Sequence, residues 1–148
     1  MCKYPIWILA AATLTFAATP DFTGDWRFSP AKGSNLGMMA MMKIDASIRQ
    51  TPGKLVVKSV SKFNGTEQTL ENRFDLAGKA TQNQTPMGAM AETVTHWEAE
   101  RLVTTWTTEG DTGDVRTETR YLSADGKTMT VESARKNGST IVMVYERR

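Results

Sequence analysis

Phe22-Thr23-Gly24-Asp25-Trp26 near the start of the chain and Val144-Tyr145-Glu146-Arg147 at its end decide the fold. Both read as short strands, and only hairpin-spaced segments lie between them. A sheet with this connectivity can roll up until its first and last strands pair, which gives a small closed barrel.

Outward from these two anchors, period-two alternation recurs along the chain. Met42, Ile44, Ala46 and Ile48 alternate with Lys43, Asp45, Ser47 and Arg49. Gln68, Leu70, Asn72, Phe74 and Leu76 alternate with Glu67, Thr69, Glu71, Arg73 and Asp75. One face of each strand therefore suits an interior and the other suits water. Pro52-Gly53, Asn64-Gly65, Ala77-Gly78, Asp125-Gly126 and Asn137-Gly138 punctuate the pattern with residues that accept the positive φ of tight hairpins. The segments centre near Phe22, Met42, Leu55, Thr66, Ala80, Ala91, Leu102, Val115, Thr128 and Ser139. The expectation is an all-β protein, an antiparallel up-and-down β-barrel of about ten strands. Residues 29–41, with Pro30, Gly33, Gly37 and Met38-Met39-Ala40-Met41, break the pattern and are expected to form a loop or at most one short helix over a barrel mouth.

The first residues have the composition of an export leader: Lys3, an apolar run over residues 6–16, then Ala17 and Ala18. Cleavage is expected after Ala17, which divides the chain into a signal peptide, 1–17, and one barrel domain, 18–148. The run is shorter than the roughly 20 apolar residues a membrane helix needs, so no stable membrane span is expected after processing. The protein is accordingly expected to be secreted or periplasmic. Cys2, the single cysteine, leaves with the leader, so a disulfide cannot contribute to stability. Loss of Lys3 lowers the formal net charge of +2 by one, and acidic and basic residues are interspersed throughout. That distribution argues against nucleic acid as a partner.

The quoted segments resemble the lipocalin and fatty-acid-binding-protein (calycin) superfamily, and more closely the secreted bacterial lipocalin-like domains that open on an Asp-Phe-Thr-Gly-x-Trp segment. Phe22-Thr23-Gly24-Asp25-Trp26 is similar to their first strand. Leu102-Val103-Thr104-Thr105-Trp106, Arg120-Tyr121-Leu122-Ser123-Ala124-Asp125-Gly126-Lys127 and Val144-Tyr145-Glu146-Arg147 follow the superfamily's order of elements. The resemblance implies a barrel closed at one end by Trp26, with Arg147 or Arg148 across it, Arg147 being the expected residue. It also implies a lipid-carboxylate clamp in which Arg120 and Tyr145 hold two positions. Met143 stands where a second arginine would be, so half of that clamp is missing. Residues 29–41 are too few for the paired lid helices of those proteins.

Alternation alone gives a different reading of Arg120. It shares a face with Arg116, Glu118 and Leu122, whereas Val115, Thr117, Thr119 and Tyr121 look better suited to an interior. Tyr145 shares its face with Ile141 and Met143, while Val142 and Val144 make the other side of that strand apolar too, as if something covers it. Trp97 and Trp106 stand on neighbouring strands among Thr93, Thr95, Thr104 and Thr108, which suits either a wet cavity or a filled core. Phe74 stands in the row of Gln68, Leu70, Asn72 and Leu76, which suits an interior. Met38, Met39, Met41, Met42, Met87 and Met90 could hold a soft metal ion, but no histidine or cysteine accompanies them in sequence, and packing or a deformable lip is the expectation. His96 has no nucleophile, second base or metal-spaced partner, and Glu98 with Glu100 fits a solvated face. Neither catalysis, a metal nor a cofactor is expected. Asn64, Asn83 and Asn137 open Asn-x-Ser/Thr triplets, two of them at hairpin turns.

The functional expectation is a monomeric, non-enzymatic binding protein holding a small hydrophobic or amphipathic molecule inside the barrel, with Arg120, Tyr145, Met143, Trp97, Trp106 and Phe74 as ligand-binding candidates. The alternative is a structural or protein-interaction module of the cell envelope.

Overall fold

The computed structural model describes residues 18–108, 115–136 and 138–148. The expected leader, 1–17, and its cleavage point lie outside the described residues, as does Asn137. Ten strands form one antiparallel sheet: β1 Gly24–Phe28, β2 Lys43–Thr51, β3 Lys54–Phe63, β4 Thr66–Asp75, β5 Thr81–Gln84, β6 Met90–Glu98, β7 Arg101–Thr108, β8 Val115–Leu122, β9 Thr128–Arg135 and β10 Ile141–Arg147. The pairing order is β4-β3-β2-β1-β10-β9-β8-β7-β6-β5. The first and last strands therefore meet, in the register Trp26↔Arg147, Arg27↔Glu146 and Phe28↔Tyr145. The sheet is a nearly closed up-and-down barrel.

The wall closes at β4 and β5 by a different bond chemistry. The backbone amide of Arg73 donates to Asn83 Oδ1 at 2.8 Å, and Asn83 Nδ2 donates back to the Arg73 carbonyl at 2.9 Å. One residue on, the Gln84 amide donates to Asn72 Oδ1 at 3.2 Å and Asn72 Nδ2 returns to the Gln84 carbonyl at 3.1 Å. A side-chain amide carries the same donor and acceptor as a peptide, so two asparagines bridge a gap that the short β5 cannot span with its backbone. Asn83 is 4% exposed and also donates to Thr93 Oγ1, so its amide is committed to the wall, which explains its triplet without a glycan.

Alternation places the core. Trp26, Phe28, Ala46, Ile48, Leu55, Phe74, Ala91, Leu102, Trp106, Met129, Val131 and Tyr145 are buried and form one cluster with Phe22, Leu36 and Leu76. Asn64 and Gly65 both adopt positive φ, as a two-residue hairpin that matches strand twist requires. Gly53 does not, so the Pro52-Gly53 turn uses no left-handed glycine, contrary to expectation.

Residues 29–41 form two short 3-10 turns, Pro30–Lys32 and Gly37–Met41, rather than one helix at most. Between them Ser34 pairs with Val142, and the Ser29 amide donates to the Val144 carbonyl at 2.8 Å. This segment continues the backbone pairing along the edge of β10 beyond β1, and on the side of β10 opposite Tyr145, Val144 is buried and Val142 half-buried. Strand directions place residues 29–41 and the β5–β6 and β9–β10 connections at one end, the mouth. The chain's amino-terminal described residues and Arg148 lie at the other, the floor.

Candidate functional site

The register of β7 against β8 decides what faces the interior. Leu102, Thr104 and Trp106 are buried and pair with Arg120, Glu118 and Arg116 respectively. The charged face of β8 therefore points inward, and the solvent-facing reading of Arg120 from alternation is overturned: the residue is 9% exposed. The physical reason is that these side chains satisfy one another. Arg120 Nη2 donates to Glu118 Oε1 at 3.1 Å, both side chains being nearly enclosed, and Nη1 points to Met129 Sδ at 3.4 Å. A charge inside a barrel is tolerable when it is paired and hydrogen-bonded. The opposite face keeps Val115 exposed, while Tyr121 donates to Glu132 and lies beneath the Arg101 guanidinium.

Tyr145 lies beside this pair. Its ring packs on Phe28 with centroids 5.5 Å apart, and burial pushes its phenol up to about 12, with Glu118 adding to the rise and Arg120 opposing it. Arg120, Val131 and Met143 occupy one cross-strand row, since Arg120 pairs with Val131 and Val131 with Met143. The structure thus brings Arg120, Tyr145 and Met143 together. Glu118 already occupies part of the arginine's hydrogen-bonding capacity, a partner the sequence reading did not assign.

Trp106 and Phe74 meet edge to face across the interior at 5.7 Å, and the Arg116 guanidinium lies over the Trp106 ring at 4.8 Å. Two buried donors in this stack, Trp106 Nε1 and Arg116 Nε, have no hydrogen-bond partner among the described residues. Such orphans are uncommon in folded proteins and call for an acceptor. Nearby strands supply a hydroxyl network: Thr95 and Thr104 bond at 2.9 Å, and Thr81 and Thr93 at 2.8 Å, the latter joined to Asn83.

Trp97 belongs elsewhere. It stacks on Phe22 at 6.1 Å and 11°, toward the floor. There Trp26 is fully buried, donates from Nε1 to the Phe22 carbonyl at 2.9 Å, and lies under the Arg147 guanidinium at 4.2 Å. Arg147 is itself fixed by the carbonyls of Thr23 and Gly126 at 2.6 and 3.0 Å. A Cβ on Gly24 would stand 2.5 Å from that guanidinium, and Gly24 has φ +144°, so glycine is needed for this close approach.

A cavity of about 570 Å³ opens at the mouth, lined by Asn35, Arg116, Ser133, Arg135, Ser139 and Ile141 with neighbouring glycines. A depression of the same volume at the floor is lined by residues 18–20 and 98–101, none of which carries an unpaired buried donor. The methionines divide between two places. Met38 and Met41 lie on the second 3-10 turn, and Met87 and Met90 at the β5–β6 connection, across the mouth; all four are exposed. Among the described residues no group of three His, Cys, Asp or Glu side chains could hold a metal ion, and His96 only reaches the neighbouring Glu98 at 3.0 Å. No helix among them is long and apolar enough to cross a membrane.

No family model matches this chain, and no curated protein matches it. Arg116, Glu118 and Arg135 were the site residues that alternation missed. Their spacing was the available signal: Arg116, Glu118 and Arg120 must share a face, so one inward residue brings all three inside.

Proposed function

We propose that this protein is an exported, non-catalytic binding protein whose barrel holds a small amphipathic molecule. The observation that carries the reading is the mouth cavity, about 570 Å³ and lined in part by Arg116, whose stack on Trp106 holds two buried donors without acceptors among the described residues. A volume of this order accommodates a small organic ligand. The nearly closed wall, the inward hydroxyl network and the resemblance of the end segments to lipocalin-like domains point the same way. The interior is not uniformly apolar, so the guest carries hydrogen-bond acceptors as well as an apolar part. Burial of each methylene-sized group contributes about 0.8 kcal/mol, so half a dozen suffice for measurable affinity.

The test is titration of the purified protein with an environment-sensitive apolar dye, followed by native mass spectrometry of protein isolated from its own cells. Saturable dye binding and a retained small-molecule mass are expected. A protein that takes up no dye and carries no guest is not a carrier.

One observation favours a second reading, a protein-interaction module. Among the described residues the exposed large hydrophobics, Met38, Met41, Met87, Met90 and Val115, all lie on mouth-end elements. A rim of this kind suits contact with another surface. Under that reading, replacing Met41 and Met87 by serine abolishes partner capture and leaves dye binding intact.

A further inference from the structure

We infer that the mouth-side edge of β4, Glu67 to Glu71, docks an extended peptide as an added strand whose basic side chains stand opposite Glu67 and Glu71. β4 has ten residues and β5 only four, and the two asparagine bridges join them at residues 72–73 and 83–84. Toward the mouth β4 runs on alone. The Arg73 amide and carbonyl both turn to Asn83, so by the two-residue period of a strand those of Glu71, Thr69 and Glu67 leave by the same edge, while Leu70, Gln68 and Thr66 bond to β3. Among the described residues nothing meets those three amides and three carbonyls. The β5–β6 connection closes on itself instead, its Thr85 amide donating to the Ala89 carbonyl at 2.8 Å. A bare strand edge is a template for pairing with another chain.

Uncovered inner surface goes with the open edge. Ile44, Ser59, Ser61 and Leu70 are half-buried and Gln68 is exposed, whereas Ile48, Leu55 and Phe74, deeper on the same three strands, are buried. An added strand covers them with its own inward residues, which are therefore apolar. The outer side chains set its charge. Glu67 and Glu71 flank Thr69 on the edge, and their ion pairs with Lys62 at 3.2 Å and Arg73 at 2.7 Å are surface contacts that a partner's cation can share at little cost. Directly opposite side chains attract when their charges differ and repel when they match. Two copies of this chain paired about Thr69 set Glu67 against Glu71 twice, whereas a segment with Lys or Arg at positions i and i+4 satisfies both carboxylates. The inference concerns the wall and stands whether or not the barrel carries a guest.

The probes are acetyl-Lys-Val-Thr-Val-Lys-amide and its counterpart with glutamate in place of both lysines, titrated into the isotopically labelled protein. With the lysine peptide, hydrogen exchange at the Glu67, Thr69 and Glu71 amides is expected to slow, while Gln68 and Leu70, already bonded to β3, stay unchanged. The glutamate peptide is expected to bind roughly tenfold more weakly. Thr69→Pro removes an outward amide without touching the β3 ladder and is expected to weaken the lysine peptide roughly tenfold, with resonances away from β3 and β4 unmoved. Glu67→Lys combined with Glu71→Lys is expected to reverse the preference between the two peptides, and decides the matter should the proline variant fail to fold. Protection without the two-residue period, equal binding of both peptides, or a preference that survives the charge reversal overturns the inference. So does protection of the same three amides by concentration alone, with a dimer in sedimentation, which gives the edge to a second copy of the chain.

Discussion

Replacing Glu118 by Gln removes the charge that compensates Arg120 inside the barrel while keeping the side chain's shape. The two groups are 3.1 Å apart with side chains 14% and 11% exposed, so solvent screens them little. At an effective dielectric of about 20 their attraction is about 5 kcal/mol, most of which offsets the cost of taking both ions out of water. Without that charge the guanidinium keeps a neutral hydrogen bond to the carboxamide oxygen and the weak Met129 sulfur contact, and stability should fall by about 3 kcal/mol. For a domain of this size that is a drop of roughly 10 °C in melting temperature. Urea unfolding at neutral pH reads the difference as a lower midpoint at unchanged slope. The double variant Glu118→Leu with Arg120→Leu removes both ions and should regain most of the loss. Two results refute the reasoning: Glu118→Gln within 1 kcal/mol of wild type, or a double variant as unstable as the single one.

The Tyr145 phenol, pushed from 10.0 to about 12 by burial, stays protonated in the folded barrel while the unfolded chain ionises, so its contribution is complete below pH 10 and is lost as pH rises toward 12. Up to about 3 kcal/mol disappears over that window, and Tyr145→Phe should flatten the alkaline limb of the stability–pH curve and remove the last phenolate step in an ultraviolet titration. Asn83→Leu deletes three hydrogen bonds and orphans two backbone groups of Arg73; it should cost about 3 kcal/mol and selectively abolish hydrogen-exchange protection of the Arg73 amide. Arg147→Ala removes the cover from Trp26 and two carbonyl bonds, for a loss of about 2 kcal/mol and a shift in the emission of Trp26, measured with the other tryptophans replaced by phenylalanine.

The strand count was legible because alternation and turn residues are local properties. Met42 to Ile48 and Gln68 to Leu76 declare their inner faces without help from the rest of the chain, and Asn64-Gly65 can hardly be anything but a hairpin. The orientation of β8 was not legible, because its deciding facts are distant. Arg120 and Glu118 are acceptable inside only as partners, and only the register with Leu102, Thr104 and Trp106 brings them there. Alternation assigns each charge to water one at a time and so misses a pair that desolvates jointly. The β4–β5 junction was hidden for a related reason: Asn72 and Asn83 look like ordinary polar residues until their amides face a backbone twelve and ten residues away respectively.

Because Trp26 pairs with Arg147 and the Arg148 amide donates to the Asp25 carbonyl, both termini of the folded domain emerge side by side from the floor. A fluorophore, an affinity handle or a solid support fused at either terminus hangs beneath the molecule. Immobilised by its tail, this barrel stands upright like a cup on a bench, its rim unobstructed for whatever is poured over it.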